Sequence, residues 1–257
     1  MKEKNKKGKA SDSELLGLSF YRGECDALLA ELCRRAKARE RTAVFTPNAS
    51  MAAEALREEK ALGLLQSADY LTADGIGISL AARLAGIKPP PRWAGIDLAE
   101  ALLLRFEREG ICVFFYGAAA GVAERAAQRM KRKYPRLLVA GTLDGRTEAC
   151  VAERAIRESG AGAVFVCLGF PKQESYISRY PHNGVMLALG GTFDVWAKDV
   201  RRAPRWMRRV GLEWLWRLML QPRRLIRLKR VPRYFLAAFR IRFSRKEGAK
   251  TAEEAVL

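Results

Sequence analysis

Short polar turns contain most of the residue types that could do chemistry in this sequence. Asp74 stands between Ala73 and Gly75 at the end of a predicted strand, and a glycine there lets a ligand approach the backbone closely. A carboxylate in that position could act as a general base toward a substrate hydroxyl. The same residues also fit an Asp-Gly turn or a helix N-cap, and spacing alone leaves both interpretations open.

Three other turns combine hydrogen-bonding side chains with glycine or proline. Thr46 and Asn48 flank a proline after a short β-prone run, where either could contact a ligand or cap the next helix. Gln173 lies in a Gly-Phe-Pro-Lys-Gln-Glu turn after the strongest buried-strand pattern, and this turn also fits a helix start with proline near its first position. Asp194 ends a Gly-Gly-Thr-Phe-Asp turn, whose glycines could bring backbone amides to a phosphate or sugar.

The positive charge of the chain is concentrated near its C-terminus. Residues 198–250 contain 18 Lys or Arg and three acids, which gives +15 of the total formal charge of +19. Such a region is typical of a surface that binds nucleic acid, anionic lipid or a phosphorylated substrate. Arg217, Arg224 and Arg227 would share one helical face, although Pro222 is expected to kink or restart that helix. Guanidinium groups bind phosphate oxygens in a bidentate manner.

Apolar residues interleave with these arginines and leave two interpretations open. Trp214 and Trp216 stand among leucines, which is typical of a helix lying in a membrane interface. The same pattern fits a basic helix whose apolar face packs on the core. No stretch approaches the roughly 18 to 20 apolar residues needed to span a bilayer, so we expect any membrane contact to be peripheral.

Short apolar runs alternate with amphipathic helical patterns along most of the chain. The apolar runs lie at 42–45, 70–73, 111–116, 163–168 and 185–189, and helical patterns lie at 23–40, 49–65, 97–109, 121–134 and 148–159. Near-continuous apolar strands separated by helices predict an α/β fold with a Rossmann-like parallel sheet and helices on both faces. Ligands bind such sheets at the carboxyl ends of the strands, where the polar turns would meet.

Composition divides the chain into four predicted parts. These are a disordered basic tail at 1–20, the Rossmann-like core at 21–197, a basic helical C-terminal appendage at 198–240 and a disordered tail at 241–257. The appendage begins where strand-like runs stop and Arg, Trp and Leu dominate.

Several kinds of site are not predicted. His182 has no second His or Cys at ligand spacing, and no Asp-x-Asp motif suggests a metal that holds a nucleotide diphosphate. Residues 117–121 lack the Gly-x-Gly-x-x-Gly spacing of a dinucleotide loop, which argues against a nicotinamide dehydrogenase. We therefore expect neither a metal nor a cofactor. The five cysteines form no Cys-x-x-Cys pair and favour a reducing cytoplasm.

Six motifs occur in the order found in one enzyme family. They are Thr-Pro-Asn (46–48), Ala-Asp-Gly-Ile-Gly (73–77), Pro-Arg-Trp-Ala-Gly-Ile-Asp-Leu (91–98), Gly-Phe-Pro-Lys-Gln-Glu (169–174), Gly-Gly-Thr-Phe-Asp (190–194) and Gly-Leu-Glu-Trp-Leu-Trp-Arg-Leu (211–218). With these motifs the chain resembles the WecG/TagA/CpsF glycosyltransferase family over residues 42–235. Six motifs in order are more specific than any one of them.

The resemblance implies an activity and a set of residue roles. Members of that family transfer N-acetylmannosamine-type sugars from UDP to undecaprenyl-diphosphate-linked N-acetylglucosamine, with inversion and without a metal, in teichoic acid or other cell-surface polysaccharide synthesis. By resemblance, Asp74 would deprotonate the acceptor hydroxyl. The residues implied to contact the substrates are Thr46, Asn48, Arg92, Gln173, Asp194, Arg217, Arg224 and Arg227. The implied partners are the UDP-sugar, the lipid-linked diphosphate acceptor and the anionic inner face of the cell membrane.

Two alternatives to this activity remain open from the sequence. The charge of residues 198–250 would also suit a basic nucleic-acid-binding α/β protein, but the segment lacks the glycine and aromatic signature of an RNA-recognition sheet, so nucleic acid is not an expected partner. The same fold could use a different UDP-hexose, because sugar epimers differ in the placement of one hydroxyl.

The apolar helical pattern at 49–65 could pair subunits in a homo-oligomer.

Overall fold

The structure is a computed structural model that describes residues 13–222 and 225–254, without the side chains of residues 13, 226, 227 and 243–254. Within these residues the strands are β1 Ser13–Leu15, β2 Leu18–Phe20, β3 Thr42–Phe45, β4 Tyr70–Leu71, β5 Val113–Gly117, β6 Val139–Leu143, β7 Ala163–Cys167 and β8 Val185–Ala188. The helices are α1 Cys25–Lys37, α2 Ala49–Arg57, α3 Glu59–Gln66, α4 Ile76–Leu84, α5 Gly95–Glu109, α6 Val122–Lys133, α7 Ala149–Glu158, α8 Lys172–Arg179, α9 Thr192–Trp196, α10 Arg205–Arg209, α11 Glu213–Leu220, α12 Leu225–Leu228 and α13 Val231–Glu254.

A six-stranded parallel sheet forms the centre of the fold, in the order β4-β3-β8-β7-β5-β6. Strands β5 and β7 pair from Val113 opposite Ala163 to Gly117 opposite Cys167, and every residue of both strands is buried. Burial on both faces explains why these strands are continuous apolar runs in the sequence. The predicted α/β fold with a Rossmann-like parallel sheet is confirmed.

Each face of this sheet has its own hydrophobic core. Phe115 and Phe165 lie in the core shared with α1, α5 and α6, and their ring centroids are 5.8 Å apart. Phe114 and Tyr116 lie in the core on the opposite face, which is shared with α2, α4, α7 and α8. Successive side chains of a strand point to opposite faces, so one strand contributes to both cores. Helices therefore cover both faces, as predicted.

The N-terminal tail predicted to be disordered at 1–20 is corrected for residues 13–20. Here β1 and β2 pair in an antiparallel hairpin, with Leu15 opposite Leu18. Leu15, Leu18 and Phe20 are at most 1% exposed and belong to the same core as Phe45 and Leu65. Burial of these apolar side chains stabilises the hairpin, whose strands of three residues are too short to give a clear pattern in the sequence. Residues 1–12 lie outside the described residues.

The tail predicted to be disordered at 241–257 is also corrected, because α13 continues to Glu254. Tyr234 and Ala238 are fully buried, and Ile241 packs beside them. Their i, i+4, i+7 spacing forms an apolar stripe along one side of the helix. High charge on the remaining positions is compatible with such a helix, since one stripe is sufficient to hold it on the core. Residues 255–257 lie outside the described residues.

The helical pattern at 49–65 is divided between two helices. Glu58 has extended backbone angles of φ −123° and ψ 110° and separates α2 from α3, although no glycine or proline marks this break in the sequence. Helix α2 packs against both α3 and α13. The apolar face of this helix, which was a candidate for subunit pairing, packs against helices of the same chain.

Candidate active site

One cavity of about 1470 Å³ lies at the carboxyl edge of the sheet, between the core and the C-terminal appendage. The predicted site residues that line it are Thr46, Asn48, Asp74, Arg92, Gln173, Asp194 and Arg217. A pocket for one small molecule has about 300 to 1,000 Å³, so this cavity has room for two substrates. Five of them, all except Arg92 and Arg217, follow β3, β4, β7 or β8. These strands are neighbours in the sheet and end at the same edge because they are parallel.

Asp74 follows β4 and is partly buried in this cavity. Its backbone N–H donates to the carbonyl of Pro47 at 3.0 Å, which joins the turns after β3 and β4. Gly75, with φ +80°, is the N-cap of α4, and no side chain caps this helix. The N-cap interpretation of Asp74 is therefore wrong, and the space beside Gly75, where nothing lies within 4 Å of a Cβ position, leaves room for a ligand.

Burial raises the pKa of the Asp74 carboxyl to about 6. Arg217 and Arg92 act against this rise in pKa, while Glu213 and Asp97 add to it. An aspartate with this pKa is still ionised at neutral pH but accepts a proton more readily than an ordinary aspartate. These are the properties required of a general base.

The raised pKa of Asp74 predicts an acid limb in the pH profile of the activity. Below pH 6 the carboxyl is protonated and cannot accept a proton, so kcat/KM is expected to fall about tenfold per pH unit and to level off above about pH 7. Initial rates between pH 4.5 and 8 at constant ionic strength measure this limb. A profile that is flat from pH 5 to pH 7 would contradict the assignment.

Thr46 and Asn48 both have structural hydrogen bonds at the edge of the cavity. The Thr46 hydroxyl donates to the carbonyl of Ala188 at 3.0 Å and so joins β3 to β8. Oδ1 of Asn48 accepts from the backbone N–H groups of Ser50 at 3.0 Å and Met51 at 3.2 Å. The N-cap interpretation of Asn48 is thus confirmed, and the group it can offer to a ligand is its amide NH₂.

Gln173 lines the cavity but is only 3% exposed. Its side-chain oxygen accepts from the backbone N–H groups of Gly169 at 3.2 Å and Gly190 at 2.9 Å. Its side-chain nitrogen donates to Glu174 at 2.8 Å. The helix-start interpretation of this turn is also confirmed, since α8 begins directly after Pro171. Gln173 therefore holds other parts of the site together, in addition to lining it.

Arg92 and Asp194 both line the cavity and both are hydrogen-bonded to the appendage. Nη2 of Arg92 donates to the carbonyl of Arg208 at 3.0 Å, which connects the core to the appendage. Arg92 also pairs with Ala73 in an isolated parallel β-bridge and is therefore held beside the turn that contains Asp74. Asp194 lies in α9, and its backbone carbonyl accepts from Val200 at 3.0 Å at the start of the appendage.

Arg217 of the appendage lies in the cavity, and a series of charged side chains connects it to the core. Arg217 on α11 donates to Glu213 at 3.1 Å. Glu213 lies 4.0 Å from Arg202, and Arg202 donates to Asp97 on α5 at 2.6 Å. These contacts connect α11 to the core. Three of the four residues, Arg217, Glu213 and Asp97, also change the pKa of Asp74.

The helix that would place Arg217, Arg224 and Arg227 on one face does not persist, because α11 ends at Leu220 and α12 begins at Leu225, on either side of Pro222. The restart that Pro222 predicted is confirmed. Arg224 lies outside the described residues. Arg227 belongs to α12, but its side chain is also outside the description.

Two further arginines line the cavity and were not singled out in the sequence. Arg208 lies beside Arg92, and its buried Nε has no hydrogen-bond partner among the described residues. Arg230 forms an ion pair with Glu54 of α2. In the sequence, both are distinguished only by lying in the basic segment 198–250. That does not tell an arginine that faces the cavity from one that faces solvent.

Comparison with known proteins agrees with this geometry. The sequence profile described as "Glycosyl transferase WecG/TagA/CpsF family" matches residues 13–248. The chain belongs to this family. It is a glycosyltransferase, and the predicted resemblance is confirmed.

Two relatives carry the same name, N-acetylglucosaminyldiphosphoundecaprenol N-acetyl-beta-D-mannosaminyltransferase. The protein from Bacillus spizizenii (strain ATCC 23059 / NRRL B-14472 / W23) is 37% identical over 202 residues, which cover 77% of this chain and 78% of the relative. The protein from Bacillus subtilis (strain 168) is 33% identical over 201 residues, with the same coverage of both chains.

Proposed function

We propose that this glycosyltransferase moves N-acetyl-β-D-mannosamine from UDP to the N-acetylglucosamine of an undecaprenyl-diphosphate-linked acceptor. The names of both relatives support this donor sugar and this acceptor. The observation that carries the proposal is Asp74, a carboxyl with a raised pKa in a two-substrate cavity that also contains Arg92 and Arg217. The family and both relatives are named as glycosyltransferases. We therefore propose an enzyme, in preference to the nucleic-acid-binding protein that the positive charge alone would also suit.

The proposed reaction is a single displacement at the anomeric carbon. Asp74 accepts the proton of the acceptor hydroxyl while the hydroxyl oxygen forms a bond to that carbon. The bond from the anomeric carbon to the β-phosphate oxygen of UDP breaks, and UDP leaves with the bonding electrons. Attack from the face opposite UDP inverts the configuration, which is how an α-linked donor would give a β-linked product.

Cationic side chains would stabilise the leaving diphosphate in this reaction. Arg92 of the core and Arg217 of the appendage both line the cavity that contains Asp74. Guanidinium groups suit phosphate oxygens, and charge placed in advance at a developing anion lowers the barrier directly. The two arginines also lower the pKa of Asp74, so the same cations keep the base ionised at neutral pH.

The appendage is proposed to dock on the anionic inner face of the cell membrane, where the lipid-linked acceptor resides. Large apolar side chains on it are solvent-exposed, including Trp206 at 63%, Met219 at 66% and Leu225 at 55%. They stand among arginines, the composition of a surface that inserts at the interface of an anionic bilayer. Among the described residues, no helix has both the length and the apolar character needed to cross a membrane.

A donor screen with the lipid-linked acceptor tests this function. UDP release is measured with UDP-N-acetylmannosamine, UDP-N-acetylglucosamine, UDP-glucose and UDP-glucuronic acid, with the acceptor presented in anionic or in neutral vesicles. We expect acceptor-dependent UDP release that is fastest with UDP-N-acetylmannosamine and in anionic vesicles. A faster rate with another UDP-sugar would show that this sugar is the donor. UDP release at the same rate without the acceptor would reject transfer to the acceptor. Equal rates in both vesicles would reject docking by charge.

A further inference from the structure

The loops after β7 and β8 both line the cavity and are joined by one side chain. The oxygen of Gln173 accepts from the N–H groups of Gly169 and Gly190, at 3.2 and 2.9 Å. The backbone N–H of Gln173 also donates to the carbonyl of Gly169 at 3.0 Å. The spacing between the two loops therefore depends on where this single oxygen lies.

A glutamine amide can occupy the same space in two orientations that have opposite hydrogen-bonding properties. The oxygen accepts hydrogen bonds, whereas the NH₂ group at the other end donates them. With the amide of Gln173 reversed, its NH₂ group would face the N–H groups of Gly169 and Gly190, and all of these donors would lose their acceptor. A donor that loses its acceptor inside a protein is unfavourable, so the orientation of this amide needs to be fixed.

Glu174 supplies the acceptor that fixes the amide. Its Oε1 accepts from Nε2 of Gln173 at 2.8 Å, and this contact is possible only when the amide oxygen faces the two glycines. We propose that Glu174 is a positioning residue, which acts through Gln173 to hold the loops after β7 and β8 at the spacing that the sugar nucleotide requires. The functional part of this inference rests on the proposed sugar transfer.

The burial of Glu174 indicates that this role is functional. The side chain is 0% exposed, and its second oxygen, Oε2, has no hydrogen-bond partner in the described part of the chain. Burial raises the pKa of the carboxyl to about 7. A buried carboxyl with an unpartnered oxygen is unfavourable for folding, and an apolar side chain of similar size would avoid that cost. Its presence beside the cavity is explained by the hydrogen bond that it accepts from Gln173.

Two variants of Glu174 separate positioning from a purely structural role. Glu174→Met removes the acceptor and keeps the side-chain length, and it is expected to raise the KM for the UDP-sugar about tenfold or more while kcat changes less. Glu174→Gln retains an accepting oxygen and should restore a KM near that of the wild-type protein. The melting temperature of Glu174→Met should not fall, because the loss of a buried carboxyl offsets the lost hydrogen bond. Glu153→Met is the matched control, since Glu153 pairs with Arg157 on α7 and does not line the cavity.

Hydrogen exchange measured by NMR on the full-length wild-type protein gives a second test that does not use activity. The amide hydrogens of Gly169, Gly190 and the Gln173 side chain should exchange slowly, since all are bonded in this arrangement. Fast exchange at these groups, or a wild-type KM in Glu174→Met, would overturn the inference while leaving the proposed transfer intact. If the wild-type protein uses no UDP-sugar, the proposed function fails, and the exchange rates still decide whether these hydrogen bonds form.

Discussion

Replacement of Asp74 by asparagine is expected to slow sugar transfer at least about 100-fold, the lower end of the effect of losing a general base. Asparagine has the size and shape of aspartate but cannot accept the proton of the acceptor hydroxyl. A 100-fold loss corresponds to about 2.7 kcal/mol of activation free energy. The rate is measured as UDP release at saturating donor and acceptor, and calorimetric titration with the donor shows whether binding remains.

Asp144→Asn is the matched control for this substitution. Asp144 follows β6 as Asp74 follows β4, but its Oδ1 accepts from the backbone N–H of Arg146 at 2.7 Å and it does not line the cavity. Its variant should transfer sugar at the wild-type rate. Full activity in the Asp74→Asn variant would remove the base assignment, whereas a loss confined to that variant supports it.

Replacement of Arg217 by alanine is expected to lower kcat by about 100- to 1,000-fold, the usual effect of removing one preorganised donor from a developing anion. Lysine at this position should restore only part of the rate, because an ammonium group cannot bind phosphate oxygens as a fork. The fold should be retained, since the contact of Glu213 Oε1 with Arg202 Nε at 4.0 Å does not involve Arg217. Melting curves and UDP release in detergent solution measure these two effects without a contribution from membrane docking.

The pH profile of the Arg217→Ala variant provides an independent readout. Arg217 lowers the pKa of Asp74, so its removal should raise that pKa further above 6 and move the acid limb to higher pH. Arg209→Ala is the control, because Arg209 is an exposed arginine of α10 that does not line the cavity. The Arg209→Ala variant should have the wild-type rate and an acid limb that is still centred near pH 6. Identical rates and limbs in the two variants would show that Arg217 has no special role.

The core and the polar turns were predictable because their signals are local. A strand buried on both faces, such as β7, must be apolar throughout, and the amphipathic pattern of α5 or α6 is visible within a few turns. Strand β6 was missed because it is only partly buried along its length and contains Gly141. The hairpin at 13–20 was missed because each of its strands has only three residues.

The site was predictable as a set of residues but less so in the behaviour of each one. Asp74 and Asn48 share the same local signal, a polar residue between a strand and a helix, yet only Asn48 caps its helix. Gln173 was predicted to line the pocket, and its bonds to Gly190 and Glu174 required knowledge of how α8 packs. Their catalytic and binding roles remain predictions that the experiments above address.

By itself the sequence determined the α/β class, the turns that carry Asp74, Asn48, Gln173 and Asp194, and the family. Only the tertiary structure decided that β8 lies between β3 and β7, which brings turns far apart in the chain to one edge of the sheet. It also decided which arginines of the appendage face the cavity and that Gln173 is held by Glu174. The physical reason is range: periodicity and turn chemistry act between near neighbours in the chain, whereas strand order and the packing of α11 and α13 on the core depend on contacts between distant segments.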